Sequence, residues 1–146
     1  MRAGTSLRAI LAARTLLLVA FISAARGANS PEQYVLITGN ALKGSFQSLV
    51  DRRVAQGMDG VLVTVEEIAS DAGYIGVDTQ EKVREFLRRR YDLARSMYVV
   101  LAGDEHIVPV RYCRTTDSGD PVPVDLYYAD MDGTRWDADA DGIFGE

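Results

Sequence analysis

Three places in this sequence hold residues whose types and spacing suit chemistry. The first is the run Asp137-Ala138-Asp139-Ala140-Asp141-Gly142. Aspartates at alternate positions followed by glycine match the opening of a calcium loop: the chain curls, three carboxylates turn toward one centre, and glycine permits the sharp turn. The Ile143 carbonyl and the Glu146 carboxylate are the next candidate ligands, with Asp130 and Asp132 as further ones. Glu146 stands at position ten rather than the twelve of an EF-hand. Pro121, Pro123 and a strand-like Val124–Tyr128 oppose flanking helices. The expectation is therefore a structural calcium loop outside an EF-hand. Magnesium fits less well, because it demands a stricter octahedron and keeps its waters. The alternative is a solvated acidic loop holding no metal.

The second place is the pair His106 and Cys113, the only histidine and only cysteine in the chain. A thiolate–imidazolium dyad would be the chemistry. The spacing opposes it. Ile107-Val108-Pro109-Val110-Arg111-Tyr112 lies between them, and Pro109 favours an extended path. Seven extended residues span roughly 23 Å, and an odd separation puts the two side chains on opposite faces of a strand. No catalytic residue is assigned to this pair. The third place is Asp104 in Gly103-Asp104-Glu105-His106. It suits either a carboxylate-dependent hydrolase or, with more weight, a loop residue accepting from backbone amides.

Composition removes other classes. One cysteine excludes a disulfide scaffold, and one histidine excludes a multi-histidine metal site. A net charge of −5 with a pI near 4.9 opposes general nucleic-acid affinity. Gly39-Asn40-Ala41-Leu42-Lys43-Gly44 follows a strand but lacks the spacing of a phosphate-binding fingerprint.

The elements that must position these residues alternate. Tyr34–Thr38, Val61–Val65 and Met97–Ala102 are short, continuous apolar runs, as in strands buried on both faces. Leu42, Phe46, Leu49 and Val50 form one helical stripe that Gly57 stops. Thr64 with Glu67, and Asp78 with Glu81, read as capping boxes, the second the better. Val83, Phe86, Leu87, Tyr91 and Ala94 line a helix running to about Arg95, with Arg84, Arg88 and Arg89 on or near its solvated face. This order predicts an α/β fold: a mostly parallel sheet with flanking helices, followed by an acidic, loop-rich tail. Sites in such sheets gather at the carboxyl ends of the strands.

Charge divides the chain into three. Residues 1–27 hold four arginines (Arg2, Arg8, Arg14, Arg26) and no acid. With the apolar run Thr15–Ala25, they read as a secretory signal peptide, too short to span a bilayer. Residues 28–116 are nearly neutral and form the α/β subdomain. Residues 117–146 hold nine acids against Arg135 and form the acidic segment. No membrane span is expected in the mature chain.

Several segments, in order, resemble the start of the gingipain-like cysteine peptidases. They are Tyr34–Thr38, Val63–Ile68, Glu81–Leu87, Val99–Asp104, Ile107–Tyr112, Asp125–Gly133 and Asp141–Glu146, together covering essentially all of 33–146. The resemblance implies the caspase-like α/β class and a secreted or cell-surface bacterial endopeptidase. In that family the dyad histidine sits in a Gly-His-Gly-type turn and the cysteine ends a later strand. Neither His106 nor Cys113 matches those motifs, so no catalytic residue is carried over. The expectation is the N-terminal, non-catalytic portion of such an enzyme, inactive alone. Its partner would be the catalytic half, and protein or peptide substrates would be met through that half. A stand-alone secreted calcium-binding or adhesion module is the alternative, and a small hydrolase using Asp104 is a distant third.

Overall fold

Gln33–Thr38 forms β1, and all six of its residues are buried. An element buried on both faces must lie inside a sheet, and β1 does. β2 (Asp59–Thr64) and β3 (Met97–Leu101) flank it in the order β2-β1-β3, both parallel to it. The computed structural model describes residues 31–91, 96–114, 119–131 and 135–145. The chain divides into two units, Met1–Ser30 and Pro31–Glu146. The signal-peptide reading of 1–27 lies outside the described residues, as do Asp132, Glu146 and the expected helix end at 92–95. Among the described residues no helix is long and apolar enough to cross a membrane.

Alternation along β1 divides the core. Tyr34 and Leu36 face α1 (Lys43–Ala55), packing with Phe46, Leu49 and Val50. Val35 and Ile37 face the opposite side, meeting Ile68 of α2 (Val65–Ser70) and Val83, Phe86 and Leu87 of α3 (Thr79–Tyr91). The sheet is thus covered on both faces, as a parallel sheet requires. α1 ends in a Schellman motif: the Gly57 amide donates to Val54 O and the Met58 amide to Arg53 O, with Gly57 at φ 92°.

Of the two expected capping boxes, one forms in full and the one expected to be the better is incomplete. Thr64 heads the complete one: Thr64 Oγ1 accepts from the Glu67 amide and Glu67 returns a bond to the Thr64 amide. At α3, Asp78 Oδ1 accepts from the Glu81 amide, but Glu81 reaches past Asp78 to accept from the Val77 amide. The second carboxylate oxygen of Asp78 is engaged elsewhere, as described below. Thr64→Ala is expected to lower stability by about 1 kcal/mol in urea unfolding. An unchanged midpoint would show that this cap does not hold α2.

Beyond β3 the chain forms an antiparallel ribbon of β4 (Arg111–Arg114) and β5 (Pro121–Val124), then a helical turn α4 (Leu126–Ala129). Pro121 and Pro123 are tolerated because a two-stranded ribbon needs few of their amides. The strand-like reading of Val124–Tyr128 is corrected: the strand stops at Val124, and α4 buries Tyr127 and Tyr128 against the α3 side of the sheet. Arg84 is corrected as well. It is largely buried, and its Nη2 donates to the Asp130 carbonyl at 2.8 Å, so it anchors the tail instead of facing water.

Candidate functional site

The carboxyl ends of the three strands converge, and their polar groups bond to one another. Thr38 Oγ1 donates to the Ala102 carbonyl at 2.7 Å, joining the ends of β1 and β3. Glu66 accepts from the Asn40 amide, and Lys43 pairs with Glu67. The Lys43 and Thr64 bonds hold the Glu67 carboxyl below its ordinary range. These carboxylates are spent on backbone and ion-pair contacts.

After β3, Gly103 at φ 142° turns the chain so tightly that a Cβ there would lie 2.6 Å from Ile107 Cγ2. Asp104 closes the turn: its Oδ1 accepts from the His106 amide at 3.0 Å, and its carbonyl accepts from the Ile107 and Val108 amides. This is the loop role given more weight for Asp104.

His106 and Cys113 do not form a dyad. The interval between them is not the single extended run expected, since a turn occupies 104–107 and the strand begins at Arg111. The parity argument therefore does not reach His106, which lies outside the strand. Arg111 and Cys113 are buried on one face while Tyr112 and Arg114 are exposed on the other. Tyr112 Oη bonds Glu105, so the Glu105–His106 turn lies on the exposed face. A depression lined by Asp104, Glu105, His106, Val110, Pro123 and Asp125 holds no thiol. Burial pushes the Cys113 thiol above its ordinary range, with Arg111 opposing weakly, the reverse of what an activated nucleophile needs.

On the other face of β4 lies a centre that sequence reasoning missed. Arg111 is buried, and its Nη1 and Nη2 donate to Asp78 Oδ2 and Oδ1, each at 2.9 Å. Its guanidinium lies 4.6 Å from the Tyr127 ring centroid and 4.0 Å from that of Phe144. Burial of Asp78 raises its carboxyl, but the Arg111 and Glu81 bonds outweigh this and hold it below the ordinary range. Arg111 therefore ties together the start of α3, α4 and the tail.

In the tail, the three alternating aspartates bond amides of their own segment. Asp137 Oδ1 and Oδ2 accept from the Asp141 and Gly142 amides at 3.1 and 3.0 Å. Asp139 Oδ1 accepts from the Asp141 amide, and Asp141 Oδ1 from the Ile143 amide. One oxygen from each of the three carboxylates lies within 4.8 Å of the others. All three donors are hard oxygens, which suits calcium better than a softer metal. Ile143 sits within the loop. Asp130 lies outside that group, its Oδ2 accepting from Trp136 Nε1 at 2.8 Å.

Neither curated proteins nor solved structures give a match to this chain. A family model does match, across the sheet, the β4–β5 ribbon and the aspartate loop together. That model is Peptidase family C25, matched over residues 28–143, and the chain belongs to this gingipain family.

Proposed function

We propose that this chain is the N-terminal, supporting portion of a secreted gingipain-like cysteine endopeptidase and performs no peptide hydrolysis alone. The observation that carries this reading is the conjunction of the family match over 28–143 with the placement of His106, exposed, in the 104–107 turn and of Cys113, buried, in β4. A cysteine peptidase needs a thiol lowered in pKa beside its base, and Cys113 is buried with its pKa raised. The catalytic half, with its own histidine and cysteine, is the proposed partner, and protein or peptide substrates are met there. Export by residues 1–27 and an extracellular or cell-surface location belong to the same proposal.

A peptidase assay tests it. The purified chain is expected to show no thiol-dependent cleavage of a broad peptide panel, and Cys113→Ala to change no rate. Cleavage lost in Cys113→Ala would overturn the reading.

The three-carboxylate group favours a second reading beside the first: Asp137, Asp139 and Asp141, with the Ile143 carbonyl and Glu146, hold a structural calcium ion. Secretion supports it, since weak sites fill at extracellular calcium concentrations. The ion's role would be to neutralise the loop and fix its shape. A calcium-binding or adhesion module without enzymatic function is the version of this reading that needs no catalytic half.

A further inference from the structure

Trp136–Gly145 meets the rest of the protein mainly at its two ends. At one end the Trp136 ring packs edge-on to Tyr127 at 5.5 Å and its Nε1 bonds Asp130. At the other, Phe144 lies on the Arg111 guanidinium, and the Phe144 carbonyl accepts from the Arg114 amide at 3.3 Å. The Gly145 amide donates to the Trp136 carbonyl at 2.8 Å, closing the segment on itself. Residues 138–142 between these ends are exposed, with Ala140 and Gly142 in the left-handed region. Beneath the second end lies Cys113, 8% exposed and the chain's one thiol. A Cβ on Gly145 would sit 3.0 Å from Cys113 Cβ and 3.3 Å from its Sγ, so Gly145 lies directly over that side chain.

We infer that Asp137–Gly145 is a strap, hinged at Trp136 where that ring packs against the core, that opens while the sheet stays folded, and that this opening is what exposes Cys113. Arg111 is the reason it can open alone. When Phe144 lifts away, the guanidinium keeps both bonds to Asp78 and its stacking on Tyr127. No buried charge is left without its carboxylate, so opening does not carry the penalty that normally couples such a contact to global unfolding. What closes it over Cys113 is the Phe144 ring, on the Arg111 guanidinium and edge-on to Tyr127 at 6.3 Å, with one long hydrogen bond from the Arg114 amide, a small set of contacts of the kind that opens locally. Three neighbouring carboxylates add repulsion that favours the open form. A bulky adduct on the thiol would block reclosure, because Gly145 leaves no room for it.

The test is the rate at which Cys113 of the full chain reacts with an aromatic disulfide reagent, in EDTA, so that the outcome does not depend on the calcium reading. The folded chain is expected to react more slowly than the chain in strong denaturant, at a rate nearly flat in low urea, because local opening exposes little surface. Phe144→Ala is expected to speed the reaction about tenfold, the scale of a desolvated cation–π contact, with the rate still nearly flat in low urea. Gly145→Ala, whose Cβ would wedge the strap off Cys113, should act in the same direction. A rate that climbs with urea in step with global unfolding overturns the inference. So does a folded-state rate equal to that in denaturant, or no acceleration in either variant.

Discussion

Asp78→Ala is expected to destabilise the protein by about 3 kcal/mol, the low end for breaking a buried ion pair. The loss has two sources. The larger is the Arg111 charge, which is left buried without a carboxylate; its side chain is 7% exposed. The smaller is the α3 cap, since Asp78 Oδ1 also accepts from the Glu81 amide, and such caps are worth about 1 kcal/mol. The low end applies because the Asp78 side chain is 35% exposed, so water screens the pair. Asp78→Asn retains an acceptor for the cap and separates the two terms. Arg111→Met should cost less than Asp78→Ala, because the carboxylate it abandons can rehydrate whereas the guanidinium cannot. The pair also sets an acid limit. The folded-state pKa of Asp78 is depressed, so its contribution is present above the ordinary aspartate range and is lost as pH falls through the lowered folded value. Urea unfolding at neutral pH and near pH 3 checks both points: the wild type should lose stability on acidification, and Asp78→Ala should lose less. Equal losses in the two proteins would show that the pair does not carry this pH dependence.

Local pattern made the sheet legible. Tyr34–Thr38, Val61–Val65 and Met97–Ala102 are apolar runs bounded by turn residues, and each falls on a strand within a residue or two at either end. The α1 stripe and its Gly57 stop, and the Thr64 cap, were legible for the same reason: each is a relation between residues within one or two turns. The Arg111 centre was not. Asp78 and Arg111 are 33 residues apart, and nothing local to Arg111-Tyr112-Cys113-Arg114 distinguishes a buried arginine from the exposed one three positions on. Arg84 is covered for the same reason, since helical periodicity places it beside solvent and only the distant Tyr127 and Asp130 cover it. The reading of Val124–Tyr128 as a strand failed because the Val124, Tyr127 and Tyr128 side chains favour strand locally, while packing against α3 rewarded a helical turn. The aspartate loop sits between these cases. Its alternation and glycine were visible in sequence and its hydrogen bonds are local, but its attachment through Phe144 to Arg111 is not.

Calcium at this loop is expected to produce a reversal of stability order between the wild type and Asp139→Ala combined with Asp141→Ala. In EDTA the wild-type loop holds three carboxylates with oxygens within 4.8 Å, without a metal ion to offset their repulsion. The double variant removes two of the charges and loses two exposed hydrogen bonds within the loop, each worth little where water competes. Asp137 keeps the bonds to the Asp141 and Gly142 amides that fold the turn. The variant should therefore be as stable as the wild type in EDTA, or more so. In calcium the order inverts. An ion bound only to the folded state stabilises by RT ln(1 + [L]/Kd), about 1.4 kcal/mol at tenfold excess over Kd, or several degrees in Tm. The affinity class is that of extracellular sites, about 10⁻⁴–10⁻³ M, so millimolar calcium is the range to scan by calorimetry and thermal unfolding. The variant, left with one carboxylate, should show no calcium dependence. Magnesium should shift the wild type less, because a loop built on alternating aspartates and backbone carbonyls cannot impose its octahedron. An unchanged Tm and no heat of binding for the wild type at millimolar calcium would remove the ion from this loop and leave a solvated acidic turn. The supporting role proposed for the α/β portion would be untouched, because the family match and the separation of His106 from Cys113 do not pass through the aspartates.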